Sequence, residues 1–292
     1  MNEKMNGAQS LARTLVNCGV EVCFANPGTS EMHFVAALDS IPGIRPVLCL
    51  FEGVVTGAAD GYGRVAGKPA ATLLHLGPGL ANGLANLHNA RRAATPIVNV
   101  VGDHATYHLQ YDALLTSDIV GFARPVSSWI HESKSAKTVA GDAARAVQAA
   151  RSAPGGIATL VLPADTAWNA ADHAAQALPD IGPAAVGTDA IENVAKLLRN
   201  GRKSALLLRG PALHGAGLEA AGRVQAGSGA RLFCDTFAPH SELGAGRVPV
   251  ERIPYFAEQI VAFLQGIEQI ILVGSKPPVS FFAYPGKPSW CA

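Results

Sequence analysis

Charge is scarce and nearly balanced in this sequence of 292 residues: charged side chains make up 15% and the formal net charge is +1. Lys and Arg are scattered, so the chain offers no electrostatic footprint for a phosphate backbone or an anionic membrane surface. Cysteine is also rare. The five (Cys18, Cys23, Cys49, Cys234, Cys291) are odd in number, lack CxxC spacing and mostly sit in apolar runs. They read as reduced core residues, which favours the cytoplasm. No apolar run approaches the ~20 residues that cross a bilayer, and MNEKMNGAQS lacks the apolar stretch of a signal peptide. Nucleic acid and membrane are therefore not expected as partners, and a soluble protein is expected.

What is present is an alternation of strands and helices. Leu11, Leu15 and Val16 recur at helical spacing from Ala8 to Cys18, with Gly19 as a stop, and Val20 to Ala25 follows as a short strand. After the turn Asn26-Pro27-Gly28-Thr29-Ser30, Thr29 or Ser30 is placed to cap a helix through Asp39. Pro46 to Phe51 is an unbroken apolar run, as expected of a strand buried on both faces. A helix from Gly53 to Val65, a strand from Ala70 to Leu76, a Gly77-Pro78-Gly79 turn, a helix from Ala81 to Ala93 and a strand from Pro96 to Val101 continue the pattern. A polar stretch, 102–134, precedes a helix near Ala136 to Arg151 and a last strand, Ile157 to Leu162. These elements predict a doubly wound parallel sheet over residues 1–168.

Residues 169–187 are rich in Ala and Pro without a sustained period and read as a linker. From 188 to 292 three helices alternate with the strands Ser204 to Arg209, Arg231 to Cys234 and Gln269 to Val273. That predicts a second, Rossmann-like α/β domain, small or incomplete because the tail from Gly274 is full of Pro and Gly. Nothing repeats at a fixed period of 20 to 50 residues.

Ligands of open α/β sheets gather outside the carboxyl ends of the strands. Asn26 to Thr29, Glu52, and His75 through Gly79 stand there. Glu52 follows five apolar residues and opens a helix, so desolvation and the helix dipole act on its carboxyl in opposite directions; an ordinary first-turn glutamate is an equal reading. HLGPGLANG (His75 to Gly83) offers a backbone nest, but its spacing is GxGxxxG and no acid follows ~20 residues later, which weakens a dinucleotide site. His75 alone reads more readily as a packing residue. His104 and His108 have i, i+4 spacing without a third ligand, so no metal site is expected. The segment Gly210 to Gly215 lacks the Lys and Ser or Thr of a phosphate loop, and no GxSxG elbow occurs.

Together FANPGTSE (Phe24 to Glu31), LFEGVVTGAADGYGRVAGKPA (Leu50 to Ala70) and LHLGPGLANGLANLHNARRAATPIV (Leu74 to Val98) resemble the thiamine-diphosphate-dependent 2-keto-acid decarboxylase and acetolactate synthase family. The resemblance implies a pyrimidine-binding domain over 1–168 and most of the family's central domain over 188–292. It also implies roles. Glu52 would hydrogen-bond N1′ of the cofactor's aminopyrimidine, favouring the imino tautomer whose 4′ nitrogen takes the proton from the thiazolium C2. Pro27, Gly28 and Thr29 would line the pyrimidine or substrate pocket, with Gly77 and Asn82 also on the cofactor. His75 falls where benzoylformate decarboxylase-like members carry an active-site histidine, whereas Gly77-Pro78-Gly79 looks like the acetolactate synthase version, and Asp103-His104 does not reproduce the His-His pair of pyruvate decarboxylase-like members.

The family's third domain holds magnesium and the diphosphate through a GDG motif and a downstream Asn. Neither occurs in residues 1–292 in that context. The expectation is the N-terminal part of a decarboxylase or carboligase for a 2-keto acid, inactive by itself and working as a homo-dimer or tetramer or with a separate diphosphate-domain subunit. Relatives of the acetolactate synthase kind also leave FAD open. The alternatives are a non-catalytic α/β module for a nucleotide or anion and, more weakly, a nicotinamide or flavin oxidoreductase.

Overall fold

A computed structural model describes residues 5–292, and these divide into two compact units, one up to Pro183 and one from Ala184. The first unit runs α1 (Gly7–Asn17), β1 (Val22–Asn26), α2 (Met32–Ser40), β2 (Arg45–Leu48), α3 (Glu52–Ala66), β3 (Ala70–Leu74), α4 (Leu76–Ala93), β4 (Ile97–Asp103), α5 (Ile119–Ala123), β5 (Trp129–Glu132), α6 (Val139–Arg151), β6 (Ile157–Pro163) and α7 (Ala164–Trp168). Its six strands form one parallel sheet in the order β2-β1-β3-β4-β6-β5. The order reverses between β1 and β3, which opens a crevice at their carboxyl ends.

Alternation along the strands splits the core. Ala71, Leu73, Val98, Val100 and Leu160 face α1, α2 and α6, where Leu11, Leu15, Phe34 and Val147 complete one layer. Leu74, Ile97, Val101 and Val161 face the other way, onto Val55, Ala59, Leu80 and Leu87 of α3 and α4. A polar row crosses the buried sheet: Thr72 donates to Asn99 Oδ1 (2.8 Å), and Asn99 Nδ2 donates to Thr159 Oγ1 (3.2 Å). Each group has a partner, which avoids the ~1–3 kcal/mol cost of a buried polar atom left unpaired. A capping box between Asn6 and Gln9 starts α1, and Gly67 at φ 66° closes α3.

Four local expectations are corrected. The apolar run from Pro46 to Phe51 is not buried on both faces: β2 is an edge strand that ends at Leu48, 72% exposed, and Leu50 beyond it is 91% exposed. Thr29 and Ser30 do not cap α2; 29–31 form a 3-10 turn, and the Ser30 hydroxyl donates to Glu31 Oε1 instead. Gly77-Pro78-Gly79 is the first turn of α4, the chain reversing at Leu76, whose φ is 49°. The stretch 102–134 is not wholly irregular, since it contains α5 and the edge strand β5.

Residues following α7 lie along the first unit rather than free of it. The carbonyls of His173 and Ala175 accept from Ser10 Oγ and Asn17 Nδ2, and Asp180 pairs with Arg151. The second unit comprises α8 (Thr188–Leu198), β7 (Ser204–Leu208), α9 (Gly215–Ser228), β8 (Arg231–Cys234), β9 (Glu251–Arg252), α10 (Ala257–Leu264) and β10 (Gln269–Val273). Its sheet is parallel, in the order β10-β7-β8-β9. Beyond β10 the tail doubles back through a bridge between Val279 and Trp290, seating Cys291 in the core. Phe281, Phe282 and Tyr284 of that tail border a cavity of about 320 Å³ against Tyr255 and Phe256.

Candidate active site

The crevice gathers the carboxyl ends of β1 and β3, where Asn26 lies opposite Leu74 in the register. Glu52 is the first residue of α3, 7% exposed, after Phe51 in an extended N-cap conformation. Its Oε2 accepts from Asn82 Nδ2 of α4 at 3.0 Å. Among the described residues no hydrogen bond reaches Oε1. A Cβ at Gly79 would lie 3.0 Å from Glu52 Oε1 and 3.2 Å from His75 Cβ, so the glycine leaves open the space into which both side chains extend. The dipole of α3 favours a negative charge at this end by about 0.3–1 kcal/mol, up to ~2 when partly buried.

Small residues bring α3 and α4 close enough for the Asn82 contact. A Cβ at Gly83 would come 2.8 Å from Thr56 Cγ2. Thr56 Oγ1 donates to the carbonyls of Glu52 (3.0 Å) and Gly83 (3.1 Å), and Asn86 Nδ2 donates to that of Gly53 (2.6 Å). The pair of helices thus holds Glu52 from both sides.

His75 is not a lone histidine. It stands between β3 and α4, and its Nδ1 lies 2.8 Å from Glu31 Oε2. Glu31 is 1% exposed and accepts also from the Gly28 N–H (2.7 Å) and the Ser30 hydroxyl (2.9 Å). Two glycines make room: a Cβ at Gly102 would fall 1.7 Å from Glu31 Oε1, and one at Gly28 would fall 2.2 Å from the His75 ring. Glu31 escaped the sequence reading as a site residue. The available signal was an acid three positions after a glycine that precedes a helical turn, the reciprocal pattern of a capping box.

Asp103 ends β4 nearby and is 7% exposed. Burial pushes its carboxyl up, and the Glu132 and Glu31 carboxylates add to the rise; the His104 backbone N–H, 2.7 Å from Oδ1, and the His104 ring oppose it.

The crevice therefore brings together Glu52, Asn82, His75 and Gly28, with Pro27 half-buried beside it and Thr29 exposed at its rim. Gly77, in the first turn of α4, is buried, and a Cβ there would approach Ser117 to 2.2 Å. The His104 and His108 rings lie 5.5 Å apart between centroids with their planes inclined at 55°, and no group of three or more metal-ligating side chains occurs among the described residues. The thiols are poor nucleophiles, since burial raises all five, Cys23 to about 12. No helix among the described residues is long and apolar enough to cross a membrane.

The domain that holds this crevice is similar to known proteins. Residues 5–122 match the family described as thiamine pyrophosphate enzyme, N-terminal TPP binding domain. The chain is 57% identical over 285 residues to a putative acetolactate synthase large subunit, IlvX, of Mycobacterium tuberculosis, covering 98% of this chain and 55% of the relative. It is 32% identical over 148 residues to the benzoylformate decarboxylase of Pseudomonas aeruginosa, covering 50% of this chain and 28% of that one. In fold it is similar to the thiamine diphosphate-dependent 4-hydroxybenzoylformate decarboxylase of Rhodococcus jostii RHA1, with a TM-score of 0.79 at 22% identity over 97% of this chain and 54% of that one. The chain spans about half the length, or less, of these relatives. Residues 5–122, which carry Glu52, Asn82, His75 and Glu31, are thus an N-terminal TPP binding domain of the thiamine pyrophosphate enzyme kind, in a chain similar to acetolactate synthase large subunits and benzoylformate decarboxylase.

Proposed function

We propose that this chain supplies the pyrimidine-binding side of a cytoplasmic thiamine-diphosphate-dependent enzyme that decarboxylates 2-keto acids, ligates them, or both. One observation carries the reading: Glu52 is a buried carboxylate with one oxygen held by Asn82 and the other open beside Gly79. A ring nitrogen that shares a proton with a carboxylate fits such a donor set. Glu52 would hold the cofactor's aminopyrimidine, with Asn82 and the glycines at 28 and 79 shaping the pocket and Pro27 and Thr29 at its edge. When bound, the cofactor supplies a carbon nucleophile and an electron sink. The chain's own residues do the rest: Asn82 keeps Glu52 oriented, the first turn of α3 favours its charge, and His75 offers Nε2 to a proton on the substrate side.

The diphosphate and its magnesium call for elements outside residues 1–292, on another segment or another subunit. The surroundings of Glu52 support such a partner, because Leu48, Leu50, Phe51 and Val54 leave an exposed apolar patch around the start of α3. We therefore expect the isolated chain to turn over neither pyruvate nor benzoylformate. With a diphosphate-domain polypeptide, thiamine diphosphate and magnesium added, CO₂ release from a 2-keto acid is expected, and Glu52→Gln abolishes it. Turnover by the isolated chain, or an assembly whose rate is indifferent to Glu52→Gln, would overturn the reading.

A further inference from the structure

We propose that Glu31 is a positioning residue of this site: a fixed, buried carboxylate that sets the His75 ring in its Nδ1–H tautomer and leaves Nε2 as the one nitrogen open to a reacting proton. A carboxylate only accepts, so the ring nitrogen 2.8 Å from Glu31 Oε2 carries the hydrogen. The Gly28 N–H only donates and reaches the same oxygen at 2.7 Å, while the Ser30 hydroxyl donates to Oε1 at 2.9 Å. Both oxygens are thus engaged, and the side chain is 1% exposed. It has nowhere else to turn. The Gly102 backbone lies against Oε1 where any side chain would collide, and the imidazole lies across Gly28 in the same way.

A buried charge is retained only where it is hydrogen-bonded and paired, and this one is paired with the His75 ring. No hydrogen bond reaches His75 Nε2 among the described residues. A neutral ring then offers Nε2 as an acceptor, and a protonated ring is neutralised by Glu31 without reorienting, the relation of carboxylate to imidazole that hydrolytic triads use. The role of His75 rests on the function proposed above; the tautomer does not.

The test needs no cofactor. In the chain labelled with ¹⁵N at histidine, long-range ¹H–¹⁵N spectra identify His75 by its loss in His75→Gln. The expected wild-type signature is a protonated Nδ1 and an unprotonated Nε2. In Glu31→Leu the preference passes to Nε2–H. In Glu31→Gln the Nδ1–H form persists, because the Gly28 N–H demands the amide oxygen at the Oε2 position while the Ser30 hydroxyl can turn to accept from the amide nitrogen. A wild-type ring protonated at Nε2 would overturn the proposal by itself, whether or not the variants fold. So would a folded Glu31→Leu chain that keeps Nδ1–H. Absence of turnover in the reconstituted assembly would instead count against the proposed function and leave the tautomer standing.

Discussion

At the residue scale, three carboxyl groups in and beside the crevice differ by what surrounds them. Glu52 has a single amide partner and an open oxygen, Glu31 has three partners and no exposure, and Asp103 has one backbone donor set against burial and two carboxylate neighbours. Asp103 yields a pH dependence. Its folded-state affinity for a proton exceeds that of the unfolded chain, so its charged form costs stability above its raised pKa, and that cost fades as the pH falls towards about 4. Asp103→Asn keeps an oxygen for the His104 N–H and removes the charge. A higher melting temperature than wild type is expected at about pH 7, with the gap closing as the pH nears 4; a gap that widens on acidification would refute the sign.

At the element scale, the close pairing of α3 and α4 is what delivers Asn82 to Glu52. Gly83→Val places atoms within the space of Thr56 and is expected to cost about 1–3 kcal/mol. Gly61, on the same α3 but with nothing near its Cβ position, is expected to gain about 0.5–1 kcal/mol as Gly61→Ala. Urea titration of the two variants reads both signs. Most of this architecture was legible in the sequence, because strand-length apolar runs, helical spacing and glycine stops are local signals: β1, β3, β4 and β6 and the helices α2, α3, α4 and α6 fall near their expected positions. Edge position is not local. Pro46 to Phe51 has the composition of a central strand, yet the strand order leaves it at the rim, and Trp129–Glu132, a half-buried edge strand, carries polar residues that hide it within the polar stretch. Likewise Glu52 stood out by following an apolar run, whereas Glu31 acquires its meaning from a ring 44 residues further along.

At the scale of the whole molecule, the two units are both parallel α/β sheets, but the polar groups that fit the chemistry lie in the first. There the exposed apolar residues next to Glu52 and the absence of a GDG motif from residues 1–292 lead to the same expectation, a site finished by another segment or subunit. Such an assembly makes Glu52 accessible to a direct reading that is independent of any substrate. The measurement is the exchange of the thiamine diphosphate C2 proton with deuterium, followed by NMR in the assembled enzyme with wild-type chain and with Glu52→Gln. The account predicts exchange slowed by about 10²-fold or more in the variant, the scale on which a positioned acid–base group contributes. Equal exchange rates in two assemblies that bind the cofactor equally well would contradict it.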